Sequence, residues 1–273
     1  MVVMFRSIGG QKNLTTDEVL TEKHVDLIRE NGVTYVELRG KAARSRSSQE
    51  ILADIPEIVS LDLHSPGKLW LSDDLLARLE TLGVFGKCET LVRPESLLTL
   101  RTLGGNADIL APGNFGSSLE NVLFTRWSGR RLVDLPLGES LRDAEIKGIG
   151  QTIEIGEIDL PLLRRLDIHD VEIESLEGVE GAPSIERLGI HPKNEVTSLR
   201  RISLEPLSGA RSIKAIIVGR QGYLESIESV ADLPFLDTVL GYESFFPEAY
   251  RGANWATVLP DKPAIRRLLG RSR

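Results

Sequence analysis

A short apolar signature recurs along most of this 273-residue chain. It reads apolar, two residues, apolar, one residue, apolar. Copies start at Val33, Ile58, Leu79, Leu100, Leu119, Leu141, Leu163, Ile185, Ile213 and Leu236. The starts lie between 19 and 28 residues apart, with 22 the commonest interval. With the start as position one, positions one, four and six are apolar in all ten copies except at Gly105 and Gly241. Positions three, five and seven are mostly polar. Side chains alternate across a strand, so four and six face one side and three, five and seven the other. One such strand cannot bury its apolar side alone. Stacked copies bury it continuously and make a parallel sheet.

The turn from Leu163 to Ser184 resembles a bacterial, internalin-like leucine-rich repeat of 22 residues. Leu163, Leu166, Ile168, Ile173, Leu176 and Val179 fall on that family's apolar positions, and Ala182 follows in phase. The resemblance covers roughly residues 33–243. It implies an α/β solenoid: a leucine-rich-repeat horseshoe with a parallel concave sheet of about ten short strands. The convex side is then mostly loop or short helix. The family's frequent Asn or Cys at position nine is missing. That position holds Lys41, Pro66, Lys87, Asp108, Trp127, Ile149, Val171, Lys193, Gln221 and Ser244. The backbone groups such an Asn would serve must find other partners.

Three segments follow from this reading. Residues 1–32 form an N-terminal helical cap, 33–243 the solenoid, and 244–273 an aromatic cap with a basic tail. In the first, Thr16 suits the start of a helix and Gly32 its stop. Leu20, Leu27 and Ile28 then share one face, with His24 beside them. In the last, Phe245, Phe246, Tyr250 and Trp255 crowd together before a tail carrying four arginines. The long turn after Ile185 implies a loop excursion over residues 192–201.

Composition narrows the function. Lys and Arg number 33 against 40 Asp and Glu, a net charge of −7, which disfavours nucleic acid. The single cysteine, Cys88, makes neither an internal disulfide nor a cysteine zinc cage, and suits a reducing, cytoplasmic setting. No apolar run approaches 18 residues, so no membrane partner is expected. Phosphate-loop, H-E-x-x-H and G-x-S-x-G patterns are all missing. The expectation is therefore no enzyme and no cofactor.

The positions predicted to face outward supply a candidate surface. The first turn offers Tyr35, Glu37 and Arg39. A dense charged zone follows at Asp143, Glu145, Lys147, Arg165, Asp167, His169, Arg187 and His191. Ten strands at about 4.8 Å spacing span roughly 40–45 Å, ample for a protein partner. Arg and Tyr are frequent binding anchors. The resemblance likewise implies protein–protein interaction, with the chain monomeric or weakly self-associating. One alternative takes Asp167, His169 and His191 as a two-histidine, one-carboxylate set for a metal-dependent binder or enzyme. Another is a self-associating structural protein.

Overall fold

The computed structural model describes residues 4–8, 11–111, 115, 118–135, 137–192, 201–219, 223–230, 233–242 and 255–258. Phe245, Phe246, Tyr250, the basic tail and most of the expected loop after Pro192 lie outside these residues. The chain divides into two compact units, Met1–Thr125 and Arg126–Arg273.

The first unit opens with an antiparallel pair, β1 (Met4–Ile8) and β2 (Gln11–Thr16). Parallel strands follow in sequence order: β3 (Tyr35–Leu38), β4 (Ser60–His64), β5 (Thr81–Phe85), β6 (Thr102–Asn106) and β7 (Asn121–Trp127). Strand β2 pairs in parallel with β3, and each later strand pairs with the one before it. Four short helices lie between strands: α1 (Glu22–Asn31), α2 (Gly40–Arg44), α3 (Arg46–Ile51) and α4 (Asp73–Arg78).

In the second unit β8 (Asp143–Gly148), β10 (Arg165–His169), β12 (Arg187–His191), β14 (Ala215–Val218) and β16 (Thr238–Tyr242) pair in parallel in that order. Strand β17 (Trp255–Val258) closes antiparallel on β16, with Trp255 opposite Tyr242. Two small parallel pairs lie off this sheet. They are β9 (Thr152–Ile153) with β11 (Glu172–Ile173), and β13 (Arg201–Ser203) with β15 (Tyr223–Glu225).

All ten repeat strands begin at position three of their turn, and the pairing is in phase. Tyr35 faces Ser60, Ser60 faces Thr81, Arg165 faces Arg187 and Arg187 faces Ala215. The register follows from burial: a one-residue slip would turn every apolar side chain outward. Positions one and four are buried in every copy. Fully burying such a Leu, Ile or Val contributes about 1.5–3 kcal/mol relative to exposure. Gly105 breaks the apolar pattern because the backbone there has φ of +125°, and a Cβ would overlap the backbone of Val84.

The start of the chain differs from the expected helical cap. Residues 11–16 form β2, so Thr16 ends a strand rather than starting a helix. Helix α1 begins five residues later than expected, at Glu22 after Thr21, and His24 closes its first turn: the Thr21 N–H donates to His24 Nδ1 at 3.1 Å. Gly32, left-handed, ends the helix as expected. Val25 and Ile28 form the buried face together with Leu20, while Leu27 points outward, 37 % exposed.

Two glutamines tie backbone groups of neighbouring turns together. Gln49 is fully buried; its Nε2 donates to the carbonyls of Ala43 (2.7 Å) and Lys68 (3.0 Å), and its Oε1 accepts from the Trp70 N–H at 2.7 Å. Gln151 does the same in the second unit, donating to the carbonyls of Trp127 (2.8 Å) and Gly129 (3.0 Å) and accepting from the Ile149 N–H (2.9 Å). Each side chain thus satisfies three otherwise orphaned backbone groups. Among the described residues, no helix is long and apolar enough to cross a membrane.

Candidate functional site

The eight charged-zone residues predicted from sequence come together on β8, β10 and β12. Three strands at adjacent spacing bring positions three, five and seven into a grid: Asp143, Arg165 and Arg187; Glu145, Asp167 and Gly189; Lys147, His169 and His191.

Asp167 is the centre of the grid. Its side chain is only 1 % exposed, unlike the solvent-facing contact expected at position five. The reason is Gly189 opposite it, where a Cβ would overlap Asp167 Oδ1. The carboxylate lies in the space that a side chain would fill. Arg165 Nε hydrogen-bonds Asp167 Oδ2. Arg187 Nε lies 3.4 Å and His191 Nε2 3.8 Å from Oδ1. Oδ1 and Arg187 Nε are both buried and neither makes a well-directed hydrogen bond, so charge rather than geometry joins them. Burial alone would raise the Asp167 carboxyl. The contacts from His191 and Arg165, with the Arg187 charge, outweigh it and hold the group well below the usual carboxylate range.

Around this centre the other charges stay accessible. Arg165 and Arg187 are 45 % and 43 % exposed. Glu145 Oε2 lies 3.9 Å from Arg165, and Glu145 Oε1 lies 3.8 Å from His169 Nε2. Lys147 Nζ pairs with Asp170 at 3.2 Å. The rings of His169 and His191 stack, centroids 4.5 Å apart and planes 12° from parallel. This geometry does not make a converging ligand set. Among the described residues, no group of three or more His, Cys, Asp or Glu is placed to hold a metal ion. Two arginines already occupy the Asp167 carboxylate.

Tyr35, Glu37 and Arg39 belong to the other unit, on and just after β3. There they join two residues that sequence reasoning left out, Asp62 and His64 of β4. The Tyr35 hydroxyl donates to Asp62 Oδ2 at 2.7 Å. Glu37 Oε1 meets Arg39 Nη2 at 2.6 Å and His64 Nε2 at 2.9 Å, and Glu37 Oε2 accepts from Thr15 at 3.0 Å. Burial raises the Tyr35 phenol, and the bond to Asp62 adds to it. Burial likewise raises the Asp62 carboxyl, whereas Arg39 and Thr15 pull Glu37 below its ordinary value against its own burial.

The signal for these missed residues was in the sequence. Three consecutive turns read V-E-L-R, L-D-L-H and L-G-V-F from Val36, Leu61 and Leu82. Three others read A-E-I-K, L-D-I-H and L-G-I-H from Ala144, Leu166 and Leu188. Comparing turns in threes rather than singly aligns Glu37, Asp62 and Gly83 with Glu145, Asp167 and Gly189. Cys88 lies apart from both groups. It is half-buried, with Sγ 3.5 Å from the Thr90 carbonyl oxygen, and burial pushes its thiol up.

No protein-family model matches the chain, and no curated protein matches its sequence significantly.

Proposed function

We propose that this chain is a leucine-rich-repeat-type solenoid that binds another protein through its polar sheet face, without catalysis. The observation that carries this reading is the patch built on Asp167. A buried carboxylate fixes two arginines whose outer faces remain open to solvent. Arginines held before contact lose less side-chain entropy on binding than free ones, and arginine is a frequent binding hot spot. Glu145 and Lys147 flank them with both signs, an arrangement that sets register and rejects mismatched partners. Ala215 and Ile217 on β14 extend the patch with half-buried apolar surface. The partner presents carboxylates to Arg165 and Arg187. Asp167 contributes by positioning them rather than by touching the partner.

The test is affinity capture from native extract with wild type, Arg165→Ala/Arg187→Ala and Arg130→Ala/Arg131→Ala, all verified as folded. The last pair lies off the sheet face and serves as the control. The reading expects a protein held by wild type and by the control, but lost from the first variant and released by raised salt. Equal capture by all three, or no specific capture, counts against it.

A further inference from the structure

The two units carry the same side-chain arrangement, one completed by two arginines and one in which the carboxylate takes a hydroxyl on Oδ2 and no guanidinium among the described residues. In both, an Asp at position five lies against a Gly at position five of the next strand. A Cβ on Gly83 would overlap Asp62 Oδ1, as one on Gly189 would overlap Asp167 Oδ1. In both, the His two residues beyond the Asp stacks on a ring of the next strand. His64 and Phe85 lie 5.2 Å apart at 23°, His169 and His191 4.5 Å apart at 12°. In both, that His reaches back to the Glu of the preceding strand.

The difference lies at position three. Arg165 and Arg187 stand there in the second unit, and their guanidinium groups contact Asp167. The matching residues in the first unit are Ser60 and Thr81. Neither carries a charge, and among the described residues no Lys or Arg pairs with Asp62, whose hydrogen-bond partner is the Tyr35 hydroxyl.

We infer that the Asp62 site of the first unit binds the guanidinium group of an arginine side chain from a peptide or protein partner. The second unit displays the occupant that this framework accepts. Asp62 supplies the carboxylate. Gly83 and Gly104 leave the surface beside it free of side chains except Phe85, whose ring leans over both: a Cβ would come within 2.6 Å of it from Gly83 and 3.1 Å from Gly104. Phe85 and His64 thus offer flat ring surface next to the carboxylate, which suits a planar cation. Glu37 is taken up by Arg39, His64 and Thr15, so it does not compete for the ligand. The fork geometry and stacking select arginine over lysine. The inference takes the Asp167 arrangement as its template but does not need that patch to bind a partner, and a small probe reads it in the first unit alone.

The probe is acetyl-Gly-Arg-Gly-amide, titrated into the labelled 273-residue chain by NMR. Saturable shifts of the His64 and Phe85 ring signals are expected, with the matching lysine peptide weaker by about tenfold, ~1.4 kcal/mol. Asp62→Asn should abolish the shifts. So should Thr81→Arg, which installs a guanidinium where the second unit has Arg187; this variant keeps the test decisive if Asp62→Asn fails to fold. The inference is overturned by unchanged ring signals at about 10 mM peptide, by equal response to the lysine peptide, or by binding that survives in folded Thr81→Arg.

Discussion

The imidazoles of His169 and His191 stack face to face with 4.5 Å between centroids. Burial first, then the neighbouring His191, push the His169 pKa below its ordinary 6.5, against the opposing pull of Glu145, Asp167 and Asp170. The unfolded chain then takes up this proton more readily than the folded one. The stabilisation is complete above the unfolded value and is lost as pH falls through the folded value. Asp167 is also depressed, but its contribution fades only as pH drops below the ordinary carboxylate value of 3.8. Thermal unfolding between pH 7 and about 5.5 therefore isolates the histidine. Wild type should melt lower at the acid end, and His169→Gln should flatten that dependence. An identical slope in both would remove His169 as the cause.

Asp167 and Gly189 form one packing unit. Asp167→Asn removes the charge facing Arg165 and Arg187. Because both arginines are nearly half exposed, the expected loss is about 1.5–3 kcal/mol rather than the larger cost of a sealed ion pair. Gly189→Ala pushes a methyl into the carboxylate and should also destabilise. The two positions must then couple. Asp167→Ala removes the oxygen that the new methyl would strike, so the double variant should be milder than the sum by about 0.5–3 kcal/mol. Urea unfolding of the four proteins gives the answer, and strict additivity would contradict the shared-space account.

What the sequence made legible was the local part. The alternation of apolar positions four and six fixes which side of each strand is buried, and all ten strands begin where that alternation places them. Strand β2 was not legible. Gln11 to Thr16 contains one apolar residue, Leu14, and its strand state comes from pairing with β3 rather than from its own pattern. Burial of Asp167 was hidden for a similar reason. It depends on a glycine 22 residues away and on Arg187 beside it, neither of which appears in the turn that carries Asp167 and Arg165. The candidate site was legible as a list of charged positions, but not as one buried anchor with exposed arginines around it.

Gln49 offers a test of how the turns are tied together without a position-nine Asn. Its amide serves the Ala43 and Lys68 carbonyls and the Trp70 N–H from a fully buried position. Gln49→Leu keeps much of the volume and strands all three groups. With some relaxation toward water, the expected loss is about 2–4 kcal/mol, each stranded group costing about 1–3. Hydrogen exchange should localise it, because the Trp70 amide loses its acceptor. A Trp70 amide as protected in the variant as in wild type would show that another group takes over.

Gly105 tests whether the repeat pattern or the backbone governs position six. By the pattern alone, Gly105→Val restores the apolar residue found at that place in most turns and should stabilise. The structure argues the reverse. The residue sits at φ +125°, and a Cβ would overlap the backbone carbonyl of Val84 on the adjacent strand. Backbone strain of this kind costs about 1–3 kcal/mol before the clash is counted. The clash is with main chain, which cannot rotate away as a side chain can. Gly105→Ala and Gly105→Val should therefore both lower the unfolding midpoint, valine more than alanine. Gly209→Ala, where the added methyl meets nothing within 4 Å, should leave it nearly unchanged. A midpoint raised by Gly105→Val would mean that the apolar pattern, not the local backbone, sets the requirement at this position.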